Sequence, residues 1–249
     1  MIVADSKAGK TTALASLANA GYKLRILDFD DGLDVLHSWV DPSKLENIDA
    51  ITLKDDPKSR KGAKAWRTGW NIVTGSWTDP DTGDDLGTVS DFDSSTVLVV
   101  DSLSYAGRAA MNNALSMNGK KFSDQLSQPE WGQAMRDMES FLDHSTGPDI
   151  ACNLVVTAHP TVIEDDSGVG RVYPKVVSKS FGMNMVSPFF NNVIGMKSNR
   201  KGERFFRLTG DGRQEFAVAR QGLGSEMPAD LAELFRLLRG GEIEERNVA

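Results

Sequence analysis

Ala4-Asp5-Ser6-Lys7-Ala8-Gly9-Lys10-Thr11-Thr12 has the form G-x-x-x-x-G-K-[ST], with alanine in the first glycine position. It follows the apolar run Met1-Ile2-Val3 and precedes an apolar-periodic segment that runs to Ala20. That is the strand–loop–helix setting in which this spacing makes a phosphate-binding loop. Backbone N–H groups of the loop and of the helix start form an anion cradle. Lys10 is expected to reach the β- and γ-phosphates of ATP, and the Thr11 hydroxyl to sit on Mg²⁺. The nucleotide-binding set read from the motif is therefore Ala4, Asp5, Ser6, Lys7, Ala8, Gly9, Lys10, Thr11 and Thr12. Ala4 departs from the motif; a positive φ there would strain it, since glycine alone adopts that region freely. Three residues make a very short first strand.

At 249 residues the chain has room for one substantial core. Its 40 % hydrophobic and 25 % charged residues fit a soluble globular domain. No apolar run approaches the roughly 18 to 20 residues of a membrane span, and no signal-peptide pattern occurs. One cysteine, Cys152, excludes an internal disulfide and a cysteine metal cluster, and fits a reducing cytoplasm. It lies in an apolar run and reads as a buried, inert thiol. The net charge of −7 argues against broad nonspecific nucleic-acid binding but leaves room for a local basic groove.

Apolar runs at 24–27, 96–100, 153–157, 193–196 and 204–208 read as strands, and helical periodicity places helices at about 11–20, 103–117, 128–143 and 228–239. Near-continuous apolar strands alternating with helices predict an α/β fold, a central mostly parallel sheet with helices on both faces. The predicted organisation is a single domain over 1–239, with a flexible tail at 240–249. Residues 78–95 hold six aspartates and read as a solvated loop insertion. Residues 164–170 read as a hairpin tip flanked by 161–163 and 171–173.

Three strand ends carry polar groups. Asp101 ends the strongest strand, at the position of a carboxylate that holds Mg²⁺ through water; the alternative is a cap for the next helix. Asp28-Phe29-Asp30-Asp31-Gly32 follows the second strand, where carboxylates face the ligand crevice. One of these acids would activate the attacking water; otherwise the stretch is a solvated turn. His159 follows Val155-Val156-Thr157-Ala158 and stands where a side chain can sense the γ-phosphate, or serves structure alone. His37 and His144 carry no assignment, and no His/Cys spacing points to zinc.

With these pieces assembled, the chain resembles the RecA-like P-loop ATPases, and in particular the compact phage proteins of single-strand annealing and recombination. The resemblance extends from Ile2 to about Leu238. It rests on the phosphate loop, Leu27-Asp28-Phe29-Asp30-Asp31-Gly32-Leu33, Val99-Val100-Asp101-Ser102, Pro129-Glu130-Trp131-Gly132, Thr157-Ala158-His159 and Phe216-Ala217-Val218-Ala219-Arg220. It implies Asp30 as catalytic base, where glutamate is more usual, with Asp31 the competing carboxylate. It implies His159 as sensor and Arg220 as a residue reaching a neighbour's γ-phosphate. It further implies a homo-oligomeric ring or filament, single-stranded DNA as partner, a single-strand-binding protein as possible associate, and host cytoplasm as location.

Three basic stretches are candidates for DNA contact: 105–123 with Arg108, Lys120 and Lys121; 161–187 with Arg171, Lys175, Lys179, Tyr173 and Phe181; and the cluster Lys58, Arg60, Lys61, Lys64, Arg67 with Trp66 and Trp70. Basic residues interleaved with aromatics suit single strands, through phosphate neutralisation and base stacking. A solvated charged face is the plain alternative for each. Two other functions compete with a DNA-dependent ATPase. One is a nucleotide-dependent assembly or regulatory protein with weak hydrolysis, which the Ala4 and Asp30 departures favour. The other is a small-molecule kinase, which the lack of an arginine-rich lid disfavours.

Overall fold

A computed structural model describes residues 1–58, 62–164, 168–210 and 223–240. In chain order the elements are β1 (Ile2–Val3), α1 (Lys10–Asn19), β2 (Lys23–Asp28), β3 (Ile48–Thr52), α2 (Ala65–Val73), β4 (Ser76–Thr78), β5 (Asp85–Thr88), β6 (Thr96–Asp101), α3 (Leu103–Met117), α4 (Gln128–Ser145), β7 (Asn153–Ala158), β8 (Pro160–Glu164), β9 (Gly170–Pro174), α5 (Lys179–Asn184), β10 (Ile194–Ser198), β11 (Arg204–Arg207), β12 (Glu226–Pro228) and α6 (Leu231–Leu238). Eight strands form one sheet in the order β12-β11-β10-β1-β7-β6-β2-β3. The six from β10 to β3 are parallel, and β11 and β12 add antiparallel at one edge. This is the α/β architecture of a P-loop NTPase.

The strand residues alternate between two cores, as the period of two requires. Val97 and Val99 of β6 join Leu14, Leu17, Leu24, Ile26 and Leu234 on the α1/α6 face. Leu98 and Val100 join Leu103, Ala110, Met138 and Phe141 on the α2/α3/α4 face. Every residue of β6 is buried, which is why its sequence is a continuous apolar run. α1 closes in a glycine-dependent turn: Gly21 has φ +91°, its N–H donates to Ala18 O, and the Tyr22 N–H donates to Leu17 O. α4 opens on a reciprocal cap between Ser127 and Glu130. The Ser127 N–H and the Lys120 ammonium both donate to Glu130 Oε2, each at 2.7 Å.

The sequence reading contains neither β3 nor α2, and it places a solvated loop at 78–95. That segment instead includes one arm of the β4–β5 hairpin. Trp77 and Val89 of this region are buried in the second core, so its aspartates line the outside of a packed unit. Glu164 pairs with Gly170 at the end of the β8–β9 hairpin, and residues 165–167 of the expected tip lie outside the described residues. The last helix starts at Leu231 rather than 228, because Pro228 belongs to β12 and the Asp230 carboxylate caps the first turn. Residues 241–249 of the expected tail lie outside the described residues. No described helix is long and apolar enough to cross a membrane.

Candidate nucleotide site

β1, β6, β7 and β2 all end on the same edge of the sheet, and each delivers one part of a polar cluster there. β1 feeds the 4–9 loop, and Gly9 enters α1 at φ +102°. Ala4 is not among the residues with positive φ; it is buried, and its N–H donates to Ala158 O at 3.1 Å. The left-handed positions of the loop are Lys7, at φ +64°, and Gly9. The strain expected of alanine in the first position is therefore absent.

Lys10 is buried at the base of the loop. Its ammonium donates to Ala4 O at 2.8 Å and Asp5 O at 3.0 Å, and lies 3.5 Å from His159 Nδ1. Burial lowers the affinity of this amine for its proton, while Asp101, Asp30 and Asp5 pull the other way. The Thr11 hydroxyl donates to Asp101 Oδ2 at 2.7 Å. The Thr157 hydroxyl donates to the other oxygen, Oδ1. Burial raises the Asp101 carboxyl above the usual carboxylate range, and the two hydroxyls oppose that rise. The Asp101–Ser102 peptide is cis.

Asp28, Asp30 and Asp31 separate into three roles. Asp28 is buried and holds the turn: its Oδ1 accepts from the N–H groups of Asp30 and Asp31 at 3.0 and 2.8 Å, and Oδ2 from Gly32 at 3.3 Å. Asp31, at φ +58°, points outward and pairs with the exposed Lys54 at 2.5 Å. Asp30 points inward, with Oδ2 3.3 Å from His159 Nε2. His159 thus bridges the Lys10 ammonium and the Asp30 carboxylate. Its ring packs edge-on against Tyr105 at 5.9 Å between centroids, and its backbone N–H donates to the Ser104 hydroxyl at 2.9 Å. The β7 strand lies between β1 and β6 in the sheet, so His159 at its end falls between the loop and Asp101.

Thr11 and Asp101 supply a hydroxyl and a carboxylate in contact, both hard oxygen donors. Such a pair fits Mg²⁺, which keeps several waters and takes few protein ligands. Arg220 and the rest of 211–222 lie outside the described residues. The sequence reading missed Thr157 as the clamp on Asp101, and Arg204, which stands over Gly9. Thr157 sits two residues before His159, yet only the β6–β7 pairing puts it across from Asp101. The basic cluster at 58–70 loses its stacking aromatics: Trp66 is buried against Phe141, with centroids 5.4 Å apart, and Trp70 packs on the same core. Phe181 is likewise buried, and Lys120 is paired with Glu130. Cys152 is buried, and burial raises its thiol above the ordinary range, as befits an inert side chain.

The phosphate loop at the C-terminal edge of a parallel sheet, with an acid–hydroxyl pair beside its lysine, defines a P-loop NTPase. The AAA domain family matches residues 1–215, and the chain belongs to it. No curated protein matches the chain. The family is one of nucleotide-binding domains that generally hydrolyse ATP with Mg²⁺.

Proposed function

We propose that the protein is an ATPase acting on single-stranded DNA, of the phage recombination or replication type, working as a homo-oligomer in the host cytoplasm. The observation that carries the hydrolytic part is the convergence of Lys10, the Thr11–Asp101 pair and the His159–Asp30 pair on one sheet edge. Bound phosphates replace the Ala4 and Asp5 carbonyls as partners of the Lys10 ammonium. Thr11 and Asp101 would hold Mg²⁺, which would supply positive charge to neutralise the phosphates. Asp30 accepts a proton from the attacking water, and His159, in contact with both Asp30 and Lys10, reads whether the γ-phosphate is present. The outward pairing of Asp31 with Lys54 supports Asp30 in the base role.

The DNA part is supported by the resemblance and by the segment immediately after His159. The β8–β9 hairpin leaves the sheet there, with Arg171 and Tyr173 on β9 and exposed Lys175 and Lys179 beyond. The Lys175 N–H donates to His159 O at 2.7 Å, and the Ser104 hydroxyl that accepts from His159 donates to Lys175 O at 2.5 Å. A change at His159 therefore meets the base of the hairpin through these hydrogen bonds. Arg220, by resemblance, completes a neighbour's site.

Steady-state ATP hydrolysis with and without single-stranded DNA tests this reading. DNA is expected to stimulate turnover, and Lys10→Ala to abolish it. Lys10-dependent turnover indifferent to DNA would remove the DNA part and favour an assembly or regulatory role; turnover unchanged in Lys10→Ala would remove the site.

A further inference from the structure

β10 runs parallel to β1, with Ile2 opposite Ile194 and Val3 opposite Gly195, so its C-terminal end rises beside the phosphate loop. β11 turns back from that end, and its first residue, Arg204, pairs with Ser198. The Arg204 carbonyl accepts from the Ala229 N–H at 2.9 Å, which fixes the backbone at the sheet edge. From there the side chain crosses to the loop. A Cβ built on Gly9 would lie 2.5 Å from Arg204 Nε and 2.8 Å from Cζ. Glycine at position 9 suits its φ of +102°, and a side chain there would displace the Arg204 guanidinium.

The guanidinium carbon also lies 5.3 Å from the centre of the Trp39 ring, within cation–π range. Trp39 is 56 % exposed, a large apolar ring left at the surface beside the site. Among the described residues no hydrogen bond or ion pair engages the Arg204 side chain. A planar cation, seated on an aromatic ring, with its donors unspent, stands against the start of the anion-binding helix.

We propose that Arg204 is a nucleotide-binding residue of its own subunit: it donates to the phosphate chain of a bound nucleoside di- or triphosphate, and Trp39 holds the guanidinium in place. The assignment rests on the reading of residues 4–12 as the nucleotide site. It adds a second cation beside Lys10, supplied in cis, whereas Arg220 is expected to act on a neighbouring subunit. A guanidinium suits this task because its fork of N–H donors matches phosphate oxygens two at a time.

The test measures binding of fluorescent ADP to the full chain in Mg²⁺, with unlabelled pyrophosphate as competitor. Arg204→Ala is expected to weaken both ligands by about ten- to a hundredfold, the loss of a charge-assisted contact. Arg204→Lys is expected to recover part of the loss, since it keeps the charge but not the fork. Trp39→Ala is expected to weaken ADP several-fold, and Trp39→Phe, which keeps a smaller ring under the guanidinium, to recover part of that loss. Arg204→Gln, which keeps most of the stem, serves if Arg204→Ala does not fold. Arg204 variants that bind as the natural protein does, while Lys10→Ala binds nothing, would overturn this proposal and leave the nucleotide site standing. Full binding by Lys10→Ala as well would overturn both. Weakened ADP with unchanged pyrophosphate would overturn the phosphate assignment.

Discussion

Asp28→Asn isolates the buried acid that shapes the 28–32 turn. Asp28 is 2 % exposed, and burial raises its carboxyl from an ordinary 3.8 to about 6, with the Asp101 charge adding to the rise and three backbone N–H groups opposing it. A shift of roughly two units at 1.36 kcal/mol each makes the ionised form cost about 3 kcal/mol of stability. Between about pH 4 and pH 6 the folded chain holds a proton that the unfolded chain has released. Stability therefore falls as pH rises through that window, and the cost is complete above it. Asparagine does not ionise. Its oxygen can keep the bonds from Asp30 and Asp31, while its amide group loses the 3.3 Å contact from Gly32, a cost of about 1 kcal/mol. The variant is expected to be more stable than the natural protein by about 2 kcal/mol at pH 7, with that advantage gone at pH 4. Urea unfolding at both pH values, in EDTA and without nucleotide, measures the difference. A stability difference that does not change with pH, or a variant weaker at pH 7, would refute the reasoning. Asp28→Ala, which frees all three N–H groups, is expected to lose the turn at either pH.

Asp30→Asn is expected to lower ATP turnover by about 10²- to 10⁴-fold while leaving nucleotide affinity near that of the natural protein, the loss of a general base. Asp31→Asn, whose carboxylate lies outward on Lys54, is expected to change turnover little; the reverse pattern in single-turnover assays would exchange the two roles. Arg220→Ala subunits, inactive alone, are expected to regain turnover when mixed with Lys10→Ala subunits, because each mixed interface can contain one intact Lys10 and one intact Arg220. Phe141→Ala, at a fully buried ring against Trp66, is expected to cost about 3–5 kcal/mol in chemical unfolding.

The parts of this molecule legible in its sequence are those whose signal is local. The 4–12 loop announces itself by spacing, and Thr96–Asp101 by six consecutive buried positions at the middle of the sheet. Edge and surface elements carry weaker signals. β3 has one buried residue, Ile51, and mixes an acid with its apolar side chains; α2 carries Arg67 and Trp70 in a stretch that reads equally well as a basic patch. The split among Asp28, Asp30 and Asp31 is also hidden, because three acids in four positions look alike until a turn aims each one differently. Arg204 is less visible still. Its distance from Gly9 in sequence is bridged only by two sheet pairings, β1–β10 and β10–β11.

Strand pairings of this kind turn a short motif into a site. Lys10 alone is an amine tied to the carbonyls of its own loop. It gains an electrostatic setting because β7 is inserted between β1 and β6, bringing His159 to its side and, through Thr157, fixing the orientation of Asp101. The carboxylate is held from both sides, by Thr11 from the loop helix and by Thr157 from the strand. Removing the strand-side hydroxyl while keeping its volume, as in Thr157→Val, leaves one oxygen of a buried carboxylate without its partner. That raises the Asp101 carboxyl further, since the Thr157 hydroxyl is the largest influence opposing its burial. In EDTA and without nucleotide, the window over which stability falls as pH rises should then reach higher pH than in the natural protein. Urea unfolding across pH that shows the same window for both would show that Thr157 packs against Asp101 without tuning it.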